Sequence, residues 1–163
     1  VLCPFTTRPQ KHWNEQRWAP LAGRARSELR LTPVLLGGPA DQAAARRIAA
    51  AADDSMVNLS GRTSLRQAAA LIDRAGLLVA VDTGLGHMGI ACGTPSLLLC
   101  GSTCPYLDTA RPNARVLYHR LACSPCSRRP TCVGRFDCMR AITIDEVLAG
   151  AREVMSLSSA PDD

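Results

Sequence analysis

Aromatic residues make up only 4% of this 163-residue chain: two Phe, two Trp and two Tyr. Rings therefore cannot build its interior, which must come from the Ala, Leu, Val and Ile that dominate a 47% hydrophobic composition. That palette suits helices packed on a sheet. Long apolar runs are also missing. Gly, Pro, Asp or Ser interrupts each one well short of the roughly 18 residues that a membrane span needs, so no transmembrane helix is expected. The 19 Lys and Arg are scattered, with no basic block, and the net charge of +5 reads as a mild bias toward anions rather than a nucleic-acid footprint. No Met and no basic-then-apolar leader open the chain, so a piece of a longer protein is expected rather than a signal peptide. What remains is one globular domain with a real core.

Short apolar runs ending in turn residues recur along the chain: "VLCPF" from residue 1, "PVLLGG" from 33, "VNLSG" from 57, "LLVAVD" from 77, "PSLLLCGS" from 95 and "RVLYH" from 115. Stretches of helical spacing separate the first five. Alternating strand and helix predicts a mainly parallel sheet covered on both faces, a doubly wound, Rossmann-like α/β fold.

Two helix starts are legible. Ser64 and Gln67 have capping-box spacing, with Leu65, Ala68, Ala69 and Ile72 as the apolar face and Gly76 as a stop. Thr143 and Glu146 repeat the box before Val147, Leu148, Ala151, Val154 and Met155. Pro20 places a turn near Asn14 and a helix start close to the proline. The end of the chain, "SLSSAPDD", reads as frayed.

The segment "LLVAVDTGLGHMG" puts Asp82, Thr83, Gly84, Gly86 and His87 directly after a buried strand. In an open parallel sheet, ligands bind outside the carboxyl ends of the strands, where loops lead into helix N-termini. Unpaired N–H groups and the helix dipole favour a phosphate there. Glycines at 84 and 86 would let the backbone approach it, Thr83 offers a hydroxyl and His87 a ring N–H. The same residues also suit a plainer role, as cap, turn and half-buried histidine, and spacing alone does not choose between the two.

The block resembles the C-terminal donor-binding domain of glycosyltransferase family 9, the lipopolysaccharide heptosyltransferases, whose pattern is an apolar strand followed by DTGxxH. "PFTTRPQKHW" (4 to 13), "LLGGPAD" (35 to 41) and "SGRTSLRQAAALIDRA" (60 to 75) agree in the same order. The resemblance covers nearly the whole chain. It implies the C-terminal half of a GT-B enzyme that transfers heptose from ADP-heptose, with inversion, to a lipopolysaccharide core or another glycan or protein acceptor. By similarity Thr6, Thr7 and Lys11 line the diphosphate from one loop and Thr83, Gly84 and His87 from the other. Asp82 lies near the donor sugar or orders the loop, and Asp41 contacts the ribose. Trp13 and Trp18 have two possible uses, stacking on adenine or packing under the first helix, and the second is preferred.

The resemblance also implies a division of labour. Residues 1–156 form the donor domain and 157–163 a flexible tail. The catalytic base and the acceptor pocket belong to an N-terminal domain outside this chain, so no catalytic residue is expected here and the chain alone is expected to be inactive. Partners are a nucleotide sugar and, through the missing domain, a glycolipid or glycan. The location implied is cytoplasmic, with at most peripheral contact with the inner membrane.

Half of the eight cysteines are bunched. Cys123, Cys126, Cys132 and Cys138 form a CxxC followed by two more thiols, which suits one tetrahedral zinc or iron, two disulfides or four free thiols. Some relatives carry a four-cysteine metal finger here, and cytosolic use of the donor places a metal first. Cys3, Cys92, Cys100 and Cys104 are expected to be buried small hydrophobes.

Two other functions compete. A metal-stabilised nucleic-acid-binding module would use the basic charge and the cysteines, but it leaves DTGxxH unexplained and lacks clustered cations with interleaved aromatics. A fragment of a Rossmann-type oxidoreductase needs GxGxxG after the first strand, and "PFTTRPQKHW" has none.

Overall fold

The computed structural model describes residues 1–53, 55–104, 108–127 and 129–158. The strands are β1 (Leu2–Cys3), β2 (Val34–Leu35), β3 (Val57–Asn58), β4 (Leu78–Val81), β5 (Ser96–Cys100) and β6 (Ala114–Tyr118). They form one sheet in the order β3-β2-β1-β4-β5-β6, with every pairing parallel. All six expected strands are present, trimmed at their ends. The order runs outward from β1 in one direction and from β4 in the other, so the chain reverses its direction of winding between these two neighbours. Their carboxyl ends diverge into the crevice where such sheets bind ligands.

The helices are α1 (Trp18–Leu29), α2 (Gln42–Ala50), α3 (Leu65–Asp73), α4 (Gly84–Cys92), α5 (Asp137–Arg140) and α6 (Ile144–Ser158), with 3₁₀ turns at Pro9–Lys11, Glu15–Arg17 and Pro39–Asp41. Two apolar layers sandwich the sheet. On one side Trp13, Trp18, Leu21, Ile48, Val147, Leu148 and Val154 pack on Leu2, Leu35, Val79 and Leu97. On the other, Ala68 and Ile72 of α3 pack with Cys3, Leu78, Ala80 and Leu98. β4 and β5 are buried from end to end, which is why both read as unbroken apolar runs.

Local signals in the sequence account for most element boundaries. The capping box of α3 is complete: Gln67 Oε1 accepts from the Ser64 N–H at 2.8 Å, and Ser64 Oγ accepts from the Gln67 N–H at 3.3 Å. The box of α6 is equally complete at Thr143 and Glu146. Asn14 caps the turn before α1 by accepting from the Gln16 N–H. Pro20 falls in the first turn of α1, where its missing N–H has no helical partner to lose.

Three expectations need correction. Leu65 is 67% exposed rather than inward, because the first residue of α3 lies on the rim of a cavity. α6 continues through Ser158, two residues beyond the expected domain end; residues 159–163 of the expected tail lie outside the described residues. Cys92 is exposed and Cys104 partly so, since they sit at the end of α4 and in the loop after β5, whereas Cys3 and Cys100 are buried as expected. Of the two uses open to the tryptophans the structure shows the preferred one, packing: their rings meet edge to face at 5.0 Å, and Trp13 Nε1 donates to the Ile142 carbonyl at 2.9 Å. Among the described residues no helix is long and apolar enough to cross a membrane.

Candidate functional site

The loops after β1 and β4 meet at the reversal of strand order. Lys11, at the end of the Pro9–Lys11 turn, reaches across to Asp82, the first residue after β4. Its Nζ lies 2.7 Å from Asp82 Oδ2, with side-chain exposures of 15% and 9%. Lys11 is also the only lysine among the 19 basic residues. His87 Nε2 donates to Asp82 Oδ1 at 3.1 Å, and the Thr103 hydroxyl donates to Oδ2. One carboxylate thus holds a cation, an imidazole and a hydroxyl around a single point. Burial raises the Asp82 pKa, but hydrogen bonds from Lys11, Thr103 and His87 together with the Lys11 charge outweigh it, so the group sits below its ordinary value.

α4 begins immediately beside this cluster. Unlike Ser64 and Thr143, Thr83 makes no side-chain cap bond, and the first helical bond runs from the His87 N–H to the Thr83 carbonyl. The N–H groups of Gly84, Leu85 and Gly86 therefore have no partner within the helix, and the positive end of its dipole faces the cleft. A methyl group at Gly84 would meet nothing within 4 Å, so that backbone is open to a ligand. Gly86 differs: a Cβ there would come within 2.7 Å of Leu98 Cδ2 and 3.2 Å of the Val81 carbonyl oxygen. Gly86 lets α4 lie close on the sheet and does not line the cleft, which corrects its expected phosphate role.

Three cavities of about 510, 520 and 520 Å³ share Thr83 and Gly84 and so lie side by side over the start of α4. The first is lined by Lys11, Asp82, His87, Thr103 and Cys104, with Pro125 and Ser127 of the cysteine loop as its far wall. The third brings in Thr6, Thr7 and Asp41. The second is the most apolar, with Phe5, Leu36, Leu65, Ala68, Leu85 and Met88 around Asp41 and Ser64. Asp41 Oδ2 accepts from the Gly38 N–H at 2.8 Å, which fixes it at the junction of the second and third cavities. Gly37 is obligatory on this rim, because a Cβ would lie 2.4 Å from the Phe5 ring. The structure therefore brings together Thr6, Thr7, Lys11, Asp41, Asp82, Thr83, Gly84 and His87.

Thr103 was not legible as a site residue, although "GST" directly follows a strand next to the reversal point, the place where the crevice rule directs attention. Pro125 and Ser127 carried no local signal. They reach the cleft because the cysteine loop is tied to the end of β5: Ser124 Oγ donates to the Gly101 carbonyl at 2.6 Å and the Ser127 N–H to the Ser102 carbonyl at 3.0 Å.

The expected four-thiol cage at Cys123, Cys126, Cys132 and Cys138 is not formed. Among the described residues no three His, Cys, Asp or Glu side chains gather as a metal-holding group. Cys123 and Cys126 lie within electrostatic reach of Cys138, but the thiols differ in exposure and partners. Cys138 is buried, so close to Gly101 that a Cβ on that glycine would lie 2.8 Å from its sulfur. Cys126 Sγ faces the Ser102 carbonyl at 3.6 Å, and Cys123 is exposed. Burial, with Cys123 and Cys126 nearby, pushes the Cys138 thiol above its ordinary pKa.

An open parallel sheet with this order, carrying a cation, hydroxyls and an uncapped helix start at its reversal point, defines a Rossmann-like α/β domain with a cleft suited to anions. The particular family follows from comparison with known proteins: the chain belongs to glycosyltransferase family 9 (heptosyltransferase), whose model matches residues 1–136. It is similar to lipopolysaccharide heptosyltransferase 1 of Pseudomonas aeruginosa, at 36% identity over 133 residues, covering 81% of this chain and 37% of that enzyme. Among solved structures it is similar to E. coli ADP-heptose lipopolysaccharide heptosyltransferase II, with a TM-score of 0.82 and 28% identity over 98% of this chain and 46% of that one. It is also similar to E. coli heptosyltransferase WaaC with ADP, with a TM-score of 0.74 and 26% identity over 94% of this chain and 43% of that one. The chain spans about a third of the length of the curated relatives it matches.

Proposed function

We propose that this chain is the donor-binding half of an inverting glycosyltransferase that uses ADP-heptose and passes the sugar to a lipopolysaccharide core or a related glycan. The observation that carries the reading is the Lys11, Asp82 and His87 cluster beside the uncapped start of α4. A diphosphate laid there receives a cation, an imidazole N–H, backbone N–H groups and the Thr6, Thr7 and Thr83 hydroxyls. The apolar cavity by Leu36, Leu65 and Met88 takes the adenosine, with Asp41 placed for the ribose hydroxyls, and the Thr103 side of the cleft takes the sugar.

In transfer, an acceptor hydroxyl oxygen bonds to the anomeric carbon as the carbon–oxygen bond to the diphosphate breaks, and a base removes the hydroxyl proton. This chain's part is the leaving group. Charge grows on the diphosphate oxygens as that bond lengthens, and donors already aimed at them stabilise the transition state more than the ground state. The base and the acceptor pocket are assigned to a further domain, so this half binds ADP without turnover. A cytoplasmic setting goes with a nucleotide-sugar donor. A metal is left out of the mechanism, because the four thiols as placed do not fit one.

Thermal melting with ADP, NAD and duplex DNA tests the reading. ADP alone is expected to raise the melting temperature. Stabilisation by duplex DNA but not ADP would move the protein to a nucleic-acid module, and stabilisation by NAD in preference to ADP to an oxidoreductase fragment.

A further inference from the structure

Two thiols stand where β5 opens into the donor cleft. Cys100, the last residue of that strand, is 1% exposed. Cys104 is partly exposed, packs against the apolar layer that contains Cys100, and lines the cavity of Lys11, Asp82 and His87. The two thiols are hydrogen-bonded to each other across Gly101, Ser102 and Thr103. Burial, then the neighbouring Cys104 and Asp82, push the Cys100 thiol above its ordinary pKa. Cys100 is therefore protonated and shielded, while Cys104 meets the cleft. The backbone between them is held at one end. Gly101 is hemmed in so closely that a Cβ would lie 2.6 Å from Met139 Sδ and 2.8 Å from Cys138 Sγ, and its carbonyl accepts from Ser124 Oγ. The Ser102 carbonyl accepts from the Ser127 N–H. Any approach of the two sulfurs therefore falls on Thr103 and Cys104, and Thr103 is the residue whose hydroxyl donates to Asp82.

We propose that Cys104 and Cys100 form a thiol-exchange site in the wall of the donor cleft, which reacts with a small anionic disulfide of the glutathione type and closes to an internal disulfide. The Cys104 sulfur, having lost its proton, bonds to one sulfur of the incoming disulfide. The sulfur–sulfur bond of that molecule breaks, and one glutathione leaves with the proton. The Cys100 sulfur then bonds to Cys104, the mixed disulfide breaks, and the second glutathione departs with the Cys100 proton. Two protein thiols and one glutathione disulfide thus become one protein disulfide and two glutathione thiols, and no other oxidant takes part. Lys11 and the open N–H groups at the start of α4 attract the anionic tripeptide as they would a diphosphate. Closure draws Thr103 away from Asp82, so the oxidised chain holds the donor nucleotide less well. That consequence, unlike the bond itself, rests on the donor reading above. In a reducing compartment a disulfide of this kind is transient and serves sensing rather than stability.

The test incubates the chain in glutathione buffers of rising disulfide fraction, alkylates the remaining thiols in denaturant and maps the bonds by peptide mass spectrometry. A Cys100–Cys104 bond that dithiothreitol reverses is expected. ADP affinity, measured by calorimetry, is expected to fall about tenfold or more in the oxidised chain, the effect of losing one hydrogen bond to a charged acceptor, and to return on reduction. In Cys100→Ala the second step has no nucleophile, so glutathione is expected to stay on Cys104. Cys104→Ser is expected to bind ADP equally in oxidising and reducing buffer, which ties the effect to this pair among the eight cysteines. A bond from Cys104 to Cys92, Cys123, Cys126 or Cys138 with Cys100 still alkylated would overturn the proposal. So would an unmodified Cys104 at every buffer ratio, or an ADP affinity that the bond leaves unchanged. The map of the parent chain decides the matter if Cys100→Ala does not fold. A reduced chain that binds no ADP yet still forms the bond would sink the donor reading and leave the thiol site standing.

Discussion

Lys11 and Asp82 meet at 2.7 Å although they follow different strands, β1 and β4, and the contact joins the two loops at the one place where the sheet reverses its winding. Asp82 is the hub of this contact. Its carboxylate also receives His87 and Thr103, so these side chains are held in place before any ligand arrives.

Replacing Lys11 or His87 by Ala is therefore expected to weaken ADP binding by about 1–3 kcal/mol, or roughly 5- to 150-fold, and Lys11→Ala also to lower the melting temperature, because it leaves the Asp82 carboxylate without its cation. Calorimetric titration checks this, and unchanged affinity in both variants would remove the diphosphate assignment. Because Lys11 is the only lysine, reductive methylation labels one side-chain amine, and ADP is expected to slow that labelling.

The two glycines of α4 separate packing from binding. Gly86→Ala is expected to destabilise the fold by about 1–3 kcal/mol, as overpacking does, because the new methyl meets Leu98 and the Val81 carbonyl. Gly84→Ala meets nothing and is expected to keep or slightly raise stability while reducing ADP affinity. Denaturant melts and ADP titrations of the pair check the contrast; equal stability in the two variants would contradict the packing assignment.

The sign of the pH dependence follows from Asp82. Its folded pKa lies below the ordinary carboxylate value, so its contribution to stability is fully present above about pH 4–5 and is lost as pH falls through the folded pKa. The stability gap between the parent chain and Asp82→Asn is expected to be constant from neutrality to about pH 5 and to close below pH 4. A gap that instead widens on acidification would show that Asp82 is held protonated.

Thr103→Val removes a hydroxyl donor from Asp82 while keeping the side chain's shape. Loss of a hydrogen bond to a charged acceptor is expected to weaken ADP-sugar binding by about 1.5–3 kcal/mol, more than it weakens ADP alone, if the sugar takes the Thr103 side of the cleft as proposed. Comparing the two affinities in one variant decides whether Thr103 positions Asp82 for the sugar.

Strand positions, both capping boxes and the DTGLGH loop were legible because each is a short-range signal: an apolar run, a three-residue spacing, a turn. Gly86 misled because a glycine beside a helix start reads the same whether ligand or sheet approaches it; only Leu98, brought in by β5, decides. The cysteines misled for a related reason. CxxC spacing makes convergence possible, but it does not fix the loop that would close four thiols on one point, and among the described residues no such group forms. Leu65 matched the apolar face by spacing yet lies on a cavity rim, since helical periodicity does not show where the sheet ends.

The place of β1 between β2 and β4 bears on the order in which the molecule can assemble. A polypeptide emerging from the ribosome has produced Lys11, α1, α2 and α3 before the strand that carries Asp82 exists, so the early half has a cation with no counterpart. The contact that closes the cleft is among the long-range ones, and it waits for closure of the whole segment between Lys11 and Asp82. Capture of an ADP analogue during stalled synthesis should thus appear only once α4 has cleared the exit tunnel, making ligand binding a marker of the moment at which the winding reverses between β1 and β4.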